Sequence, residues 1–420
     1  MRKLILFFLA CAFGMNFKCA AQPTSIETIK PVLDKILLYL QQCTPYNLVD
    51  EQGNTIPANK FDAKTRFAKG DFGINTYEWG VTYSGMLLAG KVFKDQQYID
   101  YVYPRLSALG ELYPYVKTFV TKNTDVRTYL TGLQNPRFLD ECGAMCAAMC
   151  KATMLDSKKS ASFRALLENW FEFCMYKEYR LPDGILARHR PAENSVWLDD
   201  MYMGITPILF RGKLAEIEND SKAAEYYQEA INQVLLFKKY LWVPEINLFR
   251  HGWIEGMSEH PNYHWARANG WAVLTICEVL DIVPSNTKGW NEVMDLFKTF
   301  LKSIVAYQAP NGVWHQLINN PETYLETSAT AMYVYGIAHA INCGWIDCTA
   351  YIDVARSGWH GIARQVNEKG QVENTCVGTG LGWTNTFYAN RPVNVYAAHG
   401  YGPVILAGAE LATLLNVHQH

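Results

Sequence analysis

The apolar positions of this 420-residue chain recur mainly with a helical period, and they define two kinds of segment that alternate. Segments of the first kind are amphipathic with a charged face, such as 221–241. Segments of the second kind are apolar nearly all round and rich in small residues, such as 80–90 and 142–150. Start and stop signals predict twelve helices, and no stretch alternates regularly enough to predict a β-sheet. The predicted helices span about 25–43, 77–92, 95–113, 139–151, 158–178, 198–212, 221–241, 264–282, 288–307, 325–342, 347–364 and 400–416.

The alternation of the two kinds of helix predicts an all-α fold. A helix that is apolar on all sides is buried on all sides. The even-numbered helices therefore fit the inside of a ring, with the amphipathic odd-numbered helices around it. This arrangement is an (α/α)6 barrel, a toroid of six helical hairpins. An α-solenoid is the alternative, and it would spread its polar residues along a ridge.

Polar and aromatic residues are concentrated at or just before the start of each predicted inner helix. Each outer helix returns the chain to the same end of the barrel, so the six inner helices all begin at one rim. We therefore expect one cleft, lined by helix N-termini that favour an anionic ligand. The six clusters are Tyr77 to Trp79, Arg137 to Asp140, His189 to Asp200, His264 to Asn269, His315 to Glu326, and Arg391 to His399.

The first 21 residues have the pattern of a secretory signal peptide. Arg2 and Lys3 precede an apolar run, and small residues precede a cleavage position after Ala21. A lipoprotein signal fits this segment poorly. We expect an exported, periplasmic protein in which residues 22–420 form a single catalytic domain. Loss of the segment lowers the formal net charge from −2 to −5.

Charge and hydropathy narrow the range of partners. The near-neutral balance gives no reason to expect a nucleic acid. Beyond the signal peptide, no stretch is long and apolar enough to insert into a membrane. The oligomeric state stays open.

Nine cysteines remain after the signal peptide. Cys142, Cys146 and Cys150 recur every four residues, which predicts small core side chains on one helix face. Cys343 and Cys348 could bridge across a turn, but the pattern predicts no disulfide framework. No spacing is typical of a zinc site, so we expect neither a metal nor a cofactor.

Two adjacent carboxylates, Asp199 and Asp200, mark the start of one inner helix. Trp197, Met201 and Tyr202 surround them with groups that solvate charge poorly, which predicts a raised carboxyl pKa, suited to proton donation. Alternatively, either aspartate caps the helix.

Asp140 opens the neighbouring inner helix. Asp140 and Asp199 together suggest a glycosidase pair of acid and base or nucleophile. Alternatively, one carboxylate reacts and the other tunes its pKa, or Asp140 is a helix cap.

Further candidates for substrate contact lie in the same clusters. Arg267 is suited to clamp a carboxylate, or else it pairs with an acid of an inner helix. The tryptophans are sugar platforms or core residues, each histidine is a ligand contact or a structural hydrogen-bonding group, and the glutamate is a ligand contact or a helix cap. The candidates are His189, Arg267, Trp265, His251, Trp271, Trp79, His315 and Glu326.

Several motifs, in order over about residues 70–412, resemble glycoside hydrolase family 105, the unsaturated rhamnogalacturonyl and glucuronyl hydrolases. The resemblance implies an (α/α)6 barrel. It also implies removal of a 4,5-unsaturated uronic acid from the nonreducing end of oligosaccharides that polysaccharide lyases release. The motifs are NTYEWGVTYSGM (75–86), FLDECG (138–143), VWLDDMYMGITP (196–207), HGW (251–253), WARANGW (265–271), GVWHQLINNPETYLETSATAM (312–332) and HGYGPVILAGAE (399–410).

The resemblance also implies roles for individual residues. Asp199 would protonate C4 of the double bond and later take a proton from the water that adds at C5. Asp140 would position water or substrate and help to keep Asp199 protonated, and His189 and Arg267 would contact the substrate. The segment between His251 and Trp265 is shorter than in some relatives, which leaves the sugar on the aglycone side open.

Other classes of protein fit the same toroid. A conventional glycosidase or a polysaccharide lyase would need a second committed base or a Tyr/His/Arg trio. A sugar epimerase would need two opposed histidines, for which His189 and His251 are available. A glycan-binding module would keep the tryptophans and lose the acids, whereas Asp140 and Asp199 are both present.

Overall fold

The computed structural model describes residues 24–258, 260 and 262–417. The predicted signal peptide, 1–21, lies outside these residues, so it stays a prediction. Within the described part, the chain forms thirteen α-helices and a set of short strands. The helices are α1 (Ile26–Cys43), α2 (Tyr77–Phe93), α3 (Gln96–Lys122), α4 (Gly143–Leu155), α5 (Arg164–Glu172), α6 (Asp199–Ile217), α7 (Ala223–Leu241), α8 (Ala266–Ile282), α9 (Trp290–Ala306), α10 (Thr327–Asn342), α11 (Cys348–Ala363), α12 (Asn385–Ala389) and α13 (Tyr401–Val417).

Six of these helices form a closed inner ring. Helices α2, α4, α6, α8, α10 and α13 each pack against the next, and α13 packs against α2 to close the ring. Helices α3, α5, α7, α9 and α11 lie outside, each against the inner helix that precedes it, and α1 packs on α13. The predicted all-α (α/α)6 barrel is confirmed.

Small residues allow the inner helices to touch backbone to backbone. A Cβ atom on Gly143 of α4 would lie 1.7 Å from the carbonyl oxygen of Met203 on α6. A Cβ atom on Gly80 of α2 would lie 2.3 Å from the carbonyl carbon of Ala144 on α4. Any larger residue at these positions would push the ring apart, which explains the small-residue character of the apolar segments.

Several helix bounds differ from the predicted ones. Helix α4 starts at Gly143 rather than 139, because 139–141 form a 3₁₀ turn and Cys142 leaves the helical region. Helix α5 is shorter than predicted and continues as a π-helical turn over Phe173–Lys177. Helix α3 runs on past Pro114, where a helix usually ends, since Val116 is still buried against the core. The short α12 was not predicted.

Short antiparallel strand pairs connect the helices, although the sequence predicted no sheet. Two or three residues per strand are too few to show an alternating pattern. The pair β3–β6 is the important one, since it joins the segment before α6 to a loop before α8. The pairs are β1 (Leu48–Val49) with β2 (Arg66–Phe67), β3 (Ser195–Trp197) with β6 (Gly252–Ile254), β4 (Trp242–Val243) with β5 (Leu248–Phe249), and β7 (Trp314–His315) with β8 (Leu325–Glu326).

The structure tests the predictions made for the cysteines and for membrane-spanning segments. Cys142, Cys146 and Cys150 are buried, as predicted, and the thiol of Cys146 donates to the carbonyl of Leu167 on α5 at 3.6 Å. Cys343 carries a free thiol, so the bridge considered with Cys348 does not form. Throughout the described residues, every helix is too short or too polar to span a bilayer.

Candidate active site

The N-terminal ends of the inner helices meet at one end of the barrel, which we call the rim. The hydroxyl of Tyr77, at the start of α2, lies 2.6 Å from Nε2 of His399, just before α13. The ring of Tyr77 also contacts Trp271 of α8 edge-on, at 6.4 Å between centroids. The polar clusters that precede separate inner helices are thus brought together at one rim.

Asp199 is the first residue of α6, and its carboxylate contacts a histidine from another segment. Nε2 of His251 lies 3.1 Å from Oδ2 of Asp199. The β3–β6 pairing makes this contact possible, because the amide of Leu198 donates to the carbonyl of His251 at 2.9 Å. Asp199 keeps 17% of its side chain exposed, while His251 is buried. A substrate can therefore reach the carboxylate but not the imidazole.

The second nitrogen of His251 contacts a tyrosine that the sequence did not suggest. The Tyr388 hydroxyl lies 2.7 Å from Nδ1 of His251, and it accepts the Gly382 amide proton at 3.0 Å. If the hydroxyl donates to Nδ1, Nε2 of His251 carries the proton that faces Asp199. Tyr388 lies on α12, within a loop that follows α11. Neither a motif nor periodicity marked it.

The predicted rise in the pKa of Asp199 is wrong. Burial raises the pKa of Asp199, but His251 lowers it through a hydrogen bond and its charge. Arg188 and Arg267 lower it further, and the pKa of Asp199 ends below its usual value. The apolar neighbours were visible in the sequence, whereas the histidine that opposes their effect was not.

Asp200 points to a different partner. Arg188 donates two hydrogen bonds of 2.7 Å to its two carboxylate oxygens, and only 1% of the Asp200 side chain is exposed. Nη2 of Arg188 also donates to Oδ1 of Asp140 at 3.0 Å, and the guanidinium lies 4.6 Å from the Trp197 ring. Burial raises the pKa of Asp200 to about 6, although Arg188 opposes the rise. One arginine thus holds two carboxylates.

Neither interpretation as a helix cap holds for the aspartates. Leu198 occupies the N-cap position of α6, and Asp199 and Asp200 are the first two helical residues. Asp140 lies within the 3₁₀ turn before α4, where no side chain caps the helix. The carboxylates are therefore available for contacts across the rim.

Asp140 borders a cavity beside the start of α2. The cavity has a volume of about 280 Å³, and Tyr77, Glu78, Arg127 and Arg137 line it as well. Asp140 is 33% exposed, so it reaches both this space and Arg188. Burial raises the pKa of Glu78, a second carboxylate of the lining. The cavity can hold a polar ligand of about the size of one sugar ring.

Arg267 and Glu326 are both buried beneath a loop. Arg267 donates to the carbonyls of Cys376 and Val377 at 2.6 and 2.7 Å. Glu326 caps α10 by accepting from the Ala329 amide at 2.6 Å, and it also accepts from the Cys376 amide at 2.9 Å. Arg267 lies 3.8 Å from Glu326. Both residues hold the loop over the rim, which agrees with the alternative of an inward arginine paired with an acid.

The candidate tryptophans lie in the interior. The Trp79 indole donates to Tyr101 at 3.1 Å in the core. Trp265 lies 4.7 Å from the His251 ring and 4.4 Å from the Arg267 guanidinium, which makes it the floor beneath these residues. Trp271 packs between Tyr77 and Tyr202.

The remaining histidine candidates are separated. His189 is exposed on the loop before β3, where its ring meets Tyr179 edge-on at 5.6 Å. His315 belongs to the β7–β8 hairpin, where Nδ1 contacts the Thr323 carbonyl. The structure thus joins Asp140, Asp199, His251, Trp265 and Trp271 into one region, and it leaves Trp79 and His315 in other contacts.

Comparison with known proteins agrees with this fold. The chain is 27% identical over 237 residues to the unsaturated rhamnogalacturonyl hydrolase YesR of Bacillus subtilis. The aligned region covers 55% of this chain and 65% of the relative. It is 26% identical over 230 residues to an unsaturated 3S-rhamnoglycuronyl hydrolase of Formosa agariphila, over 52% of this chain and 58% of the relative. The chain thus spans less than two-thirds of the length of these curated relatives.

A solved structure shares the whole architecture. It is described as a possible member of the GH105 family from Salmonella enterica, and it superposes with a TM-score of 0.72 at 23% identity. The superposition covers 94% of this chain and 97% of that one, which establishes the fold. The resemblance inferred from the motifs is confirmed. A family model described as "Glycosyl Hydrolase Family 88" matches residues 49–415, and the chain therefore belongs to that family.

Proposed function

We propose that this protein is a hydrolase that removes a 4,5-unsaturated uronic acid from the nonreducing end of lyase-generated oligosaccharides. The family and the activities in the names of the two curated relatives support this substrate class. The proposed catalytic group is Asp199, with Asp140 as the second carboxylate and His189 at the mouth of the cleft.

One observation favours hydration of a double bond over conventional glycoside cleavage. Arg188 binds both Asp140 and Asp200, whereas Asp199 alone contacts a histidine. A conventional glycosidase commits two carboxyl groups, one as acid and one as base or nucleophile. Hydration of an enol ether requires a single group that first donates and then accepts a proton, which matches the arrangement around Asp199.

The proposed reaction begins with protonation of the double bond. Asp199 donates a proton to C4, and the C4=C5 electron pair forms the new C–H bond, leaving a cation at C5 that the ring oxygen stabilises. Water adds at C5 and returns a proton to Asp199. The resulting hemiketal opens to a ketone at C5, and the hemiacetal left at C1 breaks down to an aldehyde and the released aglycone.

The lowered pKa of Asp199 has to be overcome before the first step. The uronate carboxylate brings a negative charge into the rim, and a like charge raises the pKa of a nearby carboxyl group. Asp199 then takes up its proton from solvent, while the hydrogen bond to Nε2 of His251 keeps the carboxylate in place. We infer that Asp199 becomes an acid only in the complex.

The test follows the ultraviolet absorbance of unsaturated oligosaccharides, prepared with lyases, during incubation with the purified protein. We expect the wild type to remove the absorbance. Asp199→Asn should lower kcat by about 10²- to 10⁴-fold, the usual contribution of a general acid–base group. Asp100→Asn makes the same change at an exposed carboxylate of α3 and should leave the rate unchanged.

Two outcomes would contradict the proposal. Equal rates for Asp199→Asn and the wild type would remove Asp199 from the mechanism while leaving the substrate class intact. Persistent absorbance with rhamnogalacturonan, glycosaminoglycan and ulvan fragments, together with cleavage of saturated oligosaccharides, would instead establish a conventional glycosidase.

A further inference from the structure

The opposite end of the barrel, which we call the base, contains a second polar space. A cavity of about 600 Å³ is lined by residues from all six inner helices, most of them in the C-terminal halves of those helices. These residues include Lys91, Lys151, Glu278, Asp281, His339 and Glu410. The proposed hydrolysis at the rim uses none of them.

Three potential metal ligands converge beside this cavity. His339 lies in the last turn of α10, Cys343 follows four residues later, and Asp281 lies at the end of α8. One ligand atom from each residue lies within 4.8 Å of the other two. Nitrogen, thiolate and carboxylate ligands of this kind bind Zn²⁺ in proteins.

The distances fit a tetrahedral ion. Sγ of Cys343 lies 3.5 Å from Nε2 of His339 and 4.0 Å from Oδ1 of Asp281. With Zn–S and Zn–N bonds of about 2.3 and 2.0 Å, tetrahedral geometry separates sulfur from nitrogen by about 3.5 Å. The sulfur and the imidazole nitrogen therefore already fit, while the exposed Asp281, whose ligand oxygen lies within 4.8 Å of the other two ligand atoms, would have to move toward the ion.

A second carboxylate orients the histidine. Nδ1 of His339 lies 3.0 Å from Oε1 of Glu410, and the side-chain amide of Asn342 donates to the same oxygen at 2.7 Å. The ring of Tyr335 stacks on the imidazole at 5.4 Å. Such a carboxylate on the far nitrogen is the usual support for a metal-bound histidine, and it leaves Nε2 facing the thiol and Asp281.

The position along the helices favours a cation as well. Asp281 and His339 lie in the last turns of α8 and α10, and Cys343 is the C-cap of α10. The C-terminal ends of helices carry partial negative charge, which attracts a positive ion. This contribution does not depend on the identity of the side chains.

We propose that Asp281, His339 and Cys343 bind one soft divalent transition-metal ion, with Zn²⁺ as the natural choice and water from the cavity as the fourth ligand. On binding, the Cys343 thiol releases its proton to solvent and becomes a thiolate. Only three residues separate His339 from Cys343, but Asp281 lies on another helix, so the spacing of residues in the sequence does not show the site.

The experiment is a titration of the untagged, chelator-treated full chain with Co²⁺, whose thiolate complexes absorb in the near ultraviolet and visible. We expect one ion per chain and a thiolate charge-transfer band that Cys343→Ser abolishes. Cys348→Ser, the neighbouring cysteine, should retain the band. Glu410→Gln should weaken binding about 10- to 100-fold, as loss of a supporting carboxylate usually does. Zn²⁺ should displace Co²⁺ and remove the band.

The chain ends in His418-Gln419-His420, which could bind metal on its own. The titration is therefore repeated with His418→Ala/His420→Ala. Absence of stoichiometric binding, a spectrum without the thiolate band, or loss of binding in the tail variant alone would each overturn the proposal. Hydrolysis at the rim is assayed separately, so failure of one proposal leaves the other standing.

Discussion

The two ends of the barrel both bury charged groups, but they do so with different parts of the chain. At the rim, loops and strand pairs carry the partners: Arg188 and His251 reach Asp200 and Asp199 from outside the helices. At the base, both partners come from helices, as in the pair of Lys151 and Glu278 at 2.7 Å. Groups on loops can change without disturbing the ring, which is why we place the chemistry at the rim.

The strongest difference concerns stability. Arg188→Met leaves the buried Asp200 without its two hydrogen bonds, so we expect a loss of about 3–5 kcal/mol in the free energy of unfolding. Lys151→Met at the base should lose less, about 1–3 kcal/mol, because Glu278 keeps 12% of its side chain exposed beside the large cavity, where water can solvate it. Urea unfolding followed by circular dichroism measures both values. Equal losses in the free energy of unfolding would show that charge burial contributes alike to stability at both ends of the barrel.

The two ends should also differ in their effect on kcat, and we expect this difference to be smaller than the one in stability. His251→Gln keeps a donor toward Asp199 but loses the imidazole that holds the carboxylate in place, so we expect kcat to fall about 100-fold. Because His251 also lowers the pKa of Asp199, the pH–rate profile should be displaced. Lys151→Met should leave kcat unchanged, since it lies at the base. A His251→Gln enzyme with wild-type kcat and pH profile would mean that His251 only fills space.

The smallest effect is the pH dependence of stability at the rim. The pKa of Asp199 is lowered in the folded protein, so its contribution is present above the ordinary aspartate pKa and is lost as the pH falls through the lowered value. The stability advantage of wild type over Asp199→Asn should therefore stay constant from about pH 7 to about pH 4 and shrink as the pH falls further.

Asp200 behaves in the opposite sense. Its raised pKa, about 6, means that its contribution is present in acid and is lost as the pH rises through that value. The prediction for Asp199 is tested by measuring the free energy of unfolding of the wild type and of Asp199→Asn at several pH values, with Asp100→Asn as the control. A stability advantage of wild type over Asp199→Asn that grows toward low pH would contradict the lowered pKa of Asp199.

The sequence predicted the ring well because burial on all sides leaves a strong signature. Helices such as α4 and α13 are apolar all round, and the closed ring packs each of them against two neighbouring inner helices. The start of α4 was misplaced, since the bend at Cys142 follows from the approach of Gly143 to Met203, a contact between distant segments.

The sequence marked the two acids of the candidate site but not all of their partners. Asp140 and Asp199 stood out as candidates because their motifs adjoin apolar helices. The lowered pKa of Asp199 depends on His251 and Tyr388, which are brought close by the β3–β6 pairing and by α12. The apolar neighbours of Asp199 are close to it in sequence and can be recognised there, whereas its hydrogen-bonding partners come from distant segments that only the fold brings near.

The closure of the ring has a consequence for how the chain folds. Helix α13, the last one described, packs between α10 and α2, so residues more than 300 positions apart form one of the most extensive helix contacts in the barrel. Until that helix is synthesised, α2 and α10 each expose an apolar face. Loop closure over such a distance is slow, and the fold cannot be completed before α13 has been synthesised. A ring that stays open this long needs protection from aggregation until α13 is in place.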